Sequence, residues 1–269
     1  MTTAQEHISA KLEQTLAFES MQVRIGGRTV LDGATLAIKP GVLTGIVGPN
    51  GAGKTTLMRA GLGLLPISAG TIRILGKPLK DWRRNALAKT VAYLPQGGES
   101  GWPMHAADVV MLGRLPHIGR FAPPAPLDFA AVDDALARCD AMPFAERRMD
   151  ELSSGERARV LLARALATQA PILLVDEPAA FLDPAHQFAL MSLLQNEAKR
   201  GTAVAVTLHD LSLACDYCDR LIVLSNGTVA AMGPADTVLD DEILSRVFSL
   251  AFRDPRDSRK RHFSTLRKI

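Results

Sequence analysis

Residues 48–56 read Gly48, Pro49, Asn50, Gly51, Ala52, Gly53, Lys54, Thr55, Thr56, a glycine-rich run closed by a lysine and two threonines. Glycines so spaced let successive backbone N–H groups turn inward around phosphate oxygens, and a helix opening at the lysine adds the positive end of its dipole. Lys54 supplies a point charge to β- and γ-phosphates, and the Thr55 hydroxyl a ligand for Mg2+. Asp176 and Glu177 are adjacent carboxylates after an apolar run. The first suits a magnesium ion held through water, the second a general base or water-orienting group for attack on the γ-phosphate. Gln96 can ligate the ion or report on that phosphate, and His209 can hydrogen-bond it.

A second stretch, "ELSSGERARV" at 151–160, opens a helix with Ser153, Ser154, Gly155 and Glu156. A helix N-terminus is a ready anion site by the same logic as the phosphate loop.

The elements that must position these groups are five short apolar runs at 42–47, 90–94, 171–175, 202–208 and 220–224. Near-continuous apolar strands with helical patterns between most of them favour a parallel sheet covered on both faces. The first four end at Gly48, just before Gln96, at Asp176–Glu177 and at His209. In parallel α/β sheets ligands bind outside the carboxyl ends of the strands, so these four ends are expected to converge on one site.

Bulk composition narrows the class. At 269 residues the chain fits one large domain, and 47% hydrophobic with 22% charged residues is ordinary for a globular protein. Three cysteines do not make a disulfide framework, and no apolar run approaches the ~20 residues of a membrane span. A net charge of +3 is too small to imply nucleic-acid binding. Residues 1–15 read as a loose leader without a secretory pattern. Residues 251–269 form a basic tail, suited to solvent or to an anionic membrane surface or partner. "CDYC" at 215–218 has metal-pair spacing but no second pair, and reads as two small residues packed on a helix.

The set "GPNGAGKTT", "YLPQ", "LSSGE", "ILLVDEP", "FLDP" and "TLHD", in that order, resembles the ATPase subunits of ABC transporters over roughly residues 16–245. The resemblance implies an α/β fold: a P-loop NTPase with a RecA-like core, an antiparallel β subdomain (16–40 with 71–79) and a helical insertion (99–165), within one domain at 16–250. It implies ATP and Mg2+ as cofactors, with Thr55, Gln96 and Asp176 toward the metal and Lys54, Glu177 and His209 toward catalysis. The phosphate loop, Gln96, the signature Ser153–Glu156 and Asp183 of the D-loop would bind nucleotide. In that family the signature faces the phosphate loop of a second copy, so a homodimer sandwiching two ATP molecules follows. Its partners would be membrane permease subunits and a substrate-binding protein, at the cytoplasmic face of the cell membrane, with no nucleic acid.

A narrower likeness lies in Val110, Gly113, Arg114, Pro116 and His117, which match a V-x-x-G-R-x-P-H stretch of importer ATPases for ferric siderophores, haem and cobalamin. His105 and His117 are not read as haem ligands, since cargo crosses the permease. Other cargoes, export, or a soluble ABC-type NTPase of DNA repair or translation are the alternatives; the last usually carries coiled-coil, zinc or paired-cassette features not seen here. The chain departs from the pattern at Ile25, where an aromatic ring usually stacks on adenine. It departs again at Ala179 for threonine, Ser154 for glycine and Glu156 for glutamine. Loss of the ring predicts weaker ATP binding or looser base selectivity.

Overall fold

The structure is a computed structural model describing residues 15–97, 103–119, 122–180, 182–252 and 266–268. It divides into two compact units, Met1–Asp81 with Ala203–Ile269, and Trp82–Thr202.

The first unit begins with β1 (Leu16–Ile25), β2 (Arg28–Ile38), β3 (Leu43–Val47), α1 (Lys54–Gly61), β4 (Ala69–Ile74) and β5 (Lys77–Pro78). Four of these strands form an antiparallel sheet in the order β2-β1-β4-β5. β1 buries Leu16, Phe18, Met21 and Val23. The change from even to odd positions is accommodated by a register shift between Phe18 and Met21, where Ser20 takes a φ of 45°. Thr15, the last residue of the leader read from sequence, is bonded to the end of this sheet. It is buried, its N–H donates to the Ile38 carbonyl at 3.1 Å, and its carbonyl accepts from Leu75 at 2.9 Å.

The second unit holds α2 (Arg84–Thr90), β6 (Val91–Leu94), α3 (Ala106–Met111), α4 (Pro126–Arg138), α5 (Ser154–Ala167), β7 (Ile172–Asp176) and α6 (Pro184–Lys199). β6 and β7 pair in parallel with Leu94 opposite Val175. α3, α4 and α5 pack on one another. They bury Val109 and Val110, Val132 and Leu136, and Val160 and Leu161. In α4 these apolar residues fall four apart, the spacing of one helical face.

The chain returns to the first unit through β8 (Ala203–Thr207), α7 (Leu211–Tyr217), β9 (Arg220–Ser225), β10 (Thr228–Pro234), α8 (Ala235–Val238), α9 (Asp241–Phe248), β11 (Leu250–Phe252) and β12 (Leu266–Lys268). β3 lies between β8 and β9, parallel to both, and β10 closes that edge antiparallel to β9. Every residue of β3 and β8 is buried, as expected of parallel strands covered on both faces. β12 pairs antiparallel with β11, so the end of the basic tail folds back; most of its charges lie outside the described residues.

Cys218 does not lie on a helix with Cys215, as its spacing suggested. α7 ends at Tyr217 and Cys218 is extended. The chain turns there so that the Asp219 carboxylate can accept the Leu43 N–H at 2.8 Å. The Cys218 thiol packs where a Cβ on Gly45 of β3 would be, 2.8 Å from that position, and burial raises its pKa. Cys215 instead points its sulfur at the Ala235 carbonyl, 3.4 Å away.

Candidate functional site

In the first unit, β3 runs straight into Gly48 and the phosphate loop, and α1 begins at Lys54. The N-cap is Gly53 at φ 102°, a conformation L side chains rarely adopt, and no side chain caps the helix. Lys54 is only 5% exposed. Its ammonium donates to the loop's own carbonyls, Gly48 at 2.8 Å and Pro49 at 3.3 Å. A buried cation held over a glycine-rich turn at a helix start fits a polyphosphate. Thr55 and Thr56 are half-buried in the first turn. His209 follows β8, whose Thr207 pairs with Ile46 of β3, so it leaves the same sheet edge as Gly48. Ile25 is 47% exposed at the tip of the β1–β2 hairpin.

In the second unit the parallel pairing of β6 and β7 brings Gln96 to the carboxylates. Its amide Nε2 donates to Glu177 Oε2. That orientation keeps the amide oxygen, the end able to hold a cation, out of the bond. Asp176 is fully buried, and its Oδ2 accepts from the Tyr93 hydroxyl at 3.3 Å. Tyr93 was missed by sequence reasoning, although a hydroxyl in an otherwise apolar strand was the available signal. Glu177 adopts φ 47°, unusual for a non-glycine residue and strained, as side chains aimed into a site often are. Hydroxyl, amide oxygen and carboxylate from Thr55, Gln96 and Asp176 are hard oxygen donors of the kind Mg2+ takes.

The signature also lies in this unit. Ser153 caps α5, its hydroxyl accepting the Glu156 N–H at 3.3 Å while Glu156 Oε2 accepts the Ser153 N–H at 2.8 Å. The Ser153 N–H first, then the Ser153 hydroxyl and Arg147 at 3.1 Å, hold the Glu156 carboxyl below the usual range. Ser154 is exposed and Gly155 buried. Ser154 and Glu177 line one cavity of about 200 Å³ together with Gly97, Arg157 and Leu182. Asp183 caps α6, and both its oxygens are taken by His186.

The V-x-x-G-R-x-P-H residues meet the other end of α5. Arg114 is 2% exposed, pairs with Asp128 at 3.0 Å, and donates to the Ala167 carbonyl at 2.7 Å. A guanidinium there answers the negative end of the helix dipole. The Asp128 carboxyl is lowered by the Ala125 N–H first and by Arg114 second. The His117 Nε2 donates to the Thr168 carbonyl at 2.9 Å. A Cβ on Gly113 would sit 2.1 Å from the Arg164 carbonyl, so glycine permits the contact. Val110 is fully buried. The stretch therefore fastens the end of the signature helix.

A phosphate loop with a buried lysine on one parallel edge, and paired carboxylates closing another parallel strand, define an α/β P-loop nucleoside triphosphatase. The family described as "ABC transporter" matches residues 31–180, and the chain belongs to it, as an ATP-binding subunit whose hydrolysis of ATP is coupled to transport. The chain is 44% identical over 236 residues to the hemin import ATP-binding protein HmuV of Streptomyces coelicolor, covering 88% of this chain and 84% of that protein. It is 40% identical over 235 residues to the cobalamin import ATP-binding protein BtuD of Halobacterium salinarum, covering 87% of this chain and 58% of that one. Among solved structures, dimeric MJ0796, a bacterial ABC transporter cassette, superposes with a TM-score of 0.70 at 26% identity, covering 82% of this chain and 98% of that one.

Proposed function

We propose that this chain powers import of an iron complex, haem or a ferric siderophore, or of cobalamin, through a separate permease, working as an ATP-sandwiched homodimer. The observation that carries the importer assignment is 44% identity to a hemin import ATP-binding protein across 88% of the chain. No helix among the described residues is long and apolar enough to cross a membrane, in keeping with a subunit that docks on a permease at the cytoplasmic face. A substrate-binding protein would deliver the cargo from the other side.

Each copy brings one phosphate loop and one signature helix start. Residues 48–56 would cradle the triphosphate, with Lys54 against the β- and γ-phosphates. Thr55, Gln96 and Asp176 would hold Mg2+, which when bound draws charge from the phosphate oxygens. Glu177 would orient and deprotonate the attacking water, and the Gln96 amide already engages that carboxylate. His209 would hydrogen-bond the γ-phosphate. Ser153, Ser154, Gly155 and Glu156 would meet the nucleotide bound on the second copy, with Asp183 beside them.

The test is uptake of haem, ferric siderophores and cobalamin by cells carrying Lys54→Ala against wild type. Loss of uptake for one cargo alone identifies it; unchanged uptake of all three sinks the importer assignment. Glu177→Gln with saturating Mg-ATP should elute as a dimer, and a persistent monomer counts against the sandwich.

A further inference from the structure

The first turn of α6 reaches two segments at once. The His186 ring lies against Gly155 of the signature: a Cβ built on Gly155 would fall 1.8 Å from His186 Cδ2 and 2.4 Å from Cγ and Nε2. Carbon atoms in contact settle at about 3.5–4.0 Å, so no side chain fits there while the ring stays. The ring is not free to swing away. Its Nδ1 is 2.6 Å from Asp183 Oδ2, and its backbone N–H donates to Asp183 Oδ1 at 3.0 Å. An ionised carboxylate only accepts, so Nδ1 carries the proton and the ring's orientation is set by Asp183. Gln187, the next residue, donates from Nε2 to the carbonyls of Ala179 and Leu182, both at 3.1 Å. Those carbonyls belong to the segment that follows Glu177.

We propose that His186 is the positioning residue that holds the signature helix start in register with the Glu177 segment, and that position 155 is glycine because this ring occupies the space of a Cβ. This rests on the homodimer reading above, in which Ser153 and Gly155 meet a nucleotide held by a second copy. The ring meets Gly155 on one side and Asp183 on the other. Its effect is exerted through Gly155 and Asp183.

The experiment is a double-variant cycle on the full chain: Gly155→Ala, His186→Ala and the pair together, with kcat, KM for ATP and the melting temperature measured for each. His186→Ala should lower kcat about three- to tenfold with KM within about twofold, because the phosphate loop is untouched while the signature loses its register. Gly155→Ala should lose about tenfold or more in kcat. Adding His186→Ala should restore at least about threefold of that loss, the signature of a relieved clash between neighbours. The melting temperature should follow the same pattern, the double variant above Gly155→Ala. A double variant no more active than Gly155→Ala overturns the proposal, since glycine would then serve the nucleotide alone. Equal changes in kcat and KM for His186→Ala overturn it too, as would wild-type kinetics. Failure of the homodimer reading shows separately, as Glu177→Gln remaining monomeric with Mg-ATP whatever the double variant does.

Discussion

At the start of α1 the N-cap is Gly53, left-handed and without a side chain to cap anything; at the start of α5 it is Ser153, extended and locked in a reciprocal bond with Glu156. Both helices begin with the same orphan N–H groups and the same positive dipole end. α1 provides no capping side chain and brings a buried lysine, an arrangement that suits an anion. α5 caps itself and already carries a carboxylate, offset by Arg147 at 3.1 Å. One start has the chemistry to take an anionic ligand. The other is a self-capped helix with an exposed tip, which in the proposed homodimer would meet the nucleotide held by the second copy.

The contrast can be broken from either side. The largest effect is expected from Gly53→Ala. Its φ of 102° and a Cβ that would lie 2.6 Å from Leu31 Cδ2 make alanine strained. We expect a loss of about 1–3 kcal/mol in stability, read by urea unfolding, together with weaker ATP binding. An unchanged unfolding midpoint would show that α1 does not depend on the glycine conformation. Ser153→Ala should cost about 1 kcal/mol, the usual worth of an N-cap, with ATP affinity of the isolated monomer unaltered. Equal damage to monomer binding would erase the distinction between the two starts.

Glu156→Gln sharpens the comparison through pH. The Glu156 carboxyl is held below its ordinary 4.5, so its contribution to stability is fully present above pH 4.5 and lost as the pH falls through the lowered folded value. Melting curves from neutral pH into acid should therefore separate wild type from Glu156→Gln most at neutral pH and converge in acid. Removing the charge should also tighten the apparent affinity for ATP in the dimerising reaction. The smallest effect belongs to Ser154→Gly. Ser154 is exposed at the first helical position, and the change should stay within about 0.5 kcal/mol and about twofold in ATPase rate.

Much of the fold was legible along the chain. Continuous apolar runs located β3, β6, β7, β8 and β9 to within a residue or so, because strands buried on both faces have no polar face to blur the pattern. The glycine-rich run ending in Lys54 and Thr55, and the carboxylates at the end of β7, announced themselves by type and spacing. Tyr93 and His186 did not. Tyr93 sits in a quoted motif and His186 two residues past one, but the role of each depends on a distant neighbour, Asp176 more than 80 positions from Tyr93 and Gly155 more than 30 from His186. No local pattern reports such a distance. Arg114 and His117 were visible as part of an importer-like stretch, yet nothing in the sequence said that they end on the carbonyls of Ala167 and Thr168.

Sequence alone determined what is local: the phosphate-binding turn, the helix start at Ser153, the buried parallel strands and the family they compose. These depend on backbone conformation and on periodic burial, both encoded within a few residues. The tertiary structure alone decided which polar groups are spent on the protein itself. It set Lys54 over its own loop, Gln96 on Glu177, Asp183 on His186, and Arg114 at the end of α5. Such choices follow from which donor is left facing which carbonyl once the core has closed, and a buried polar group must take the partner that packing provides.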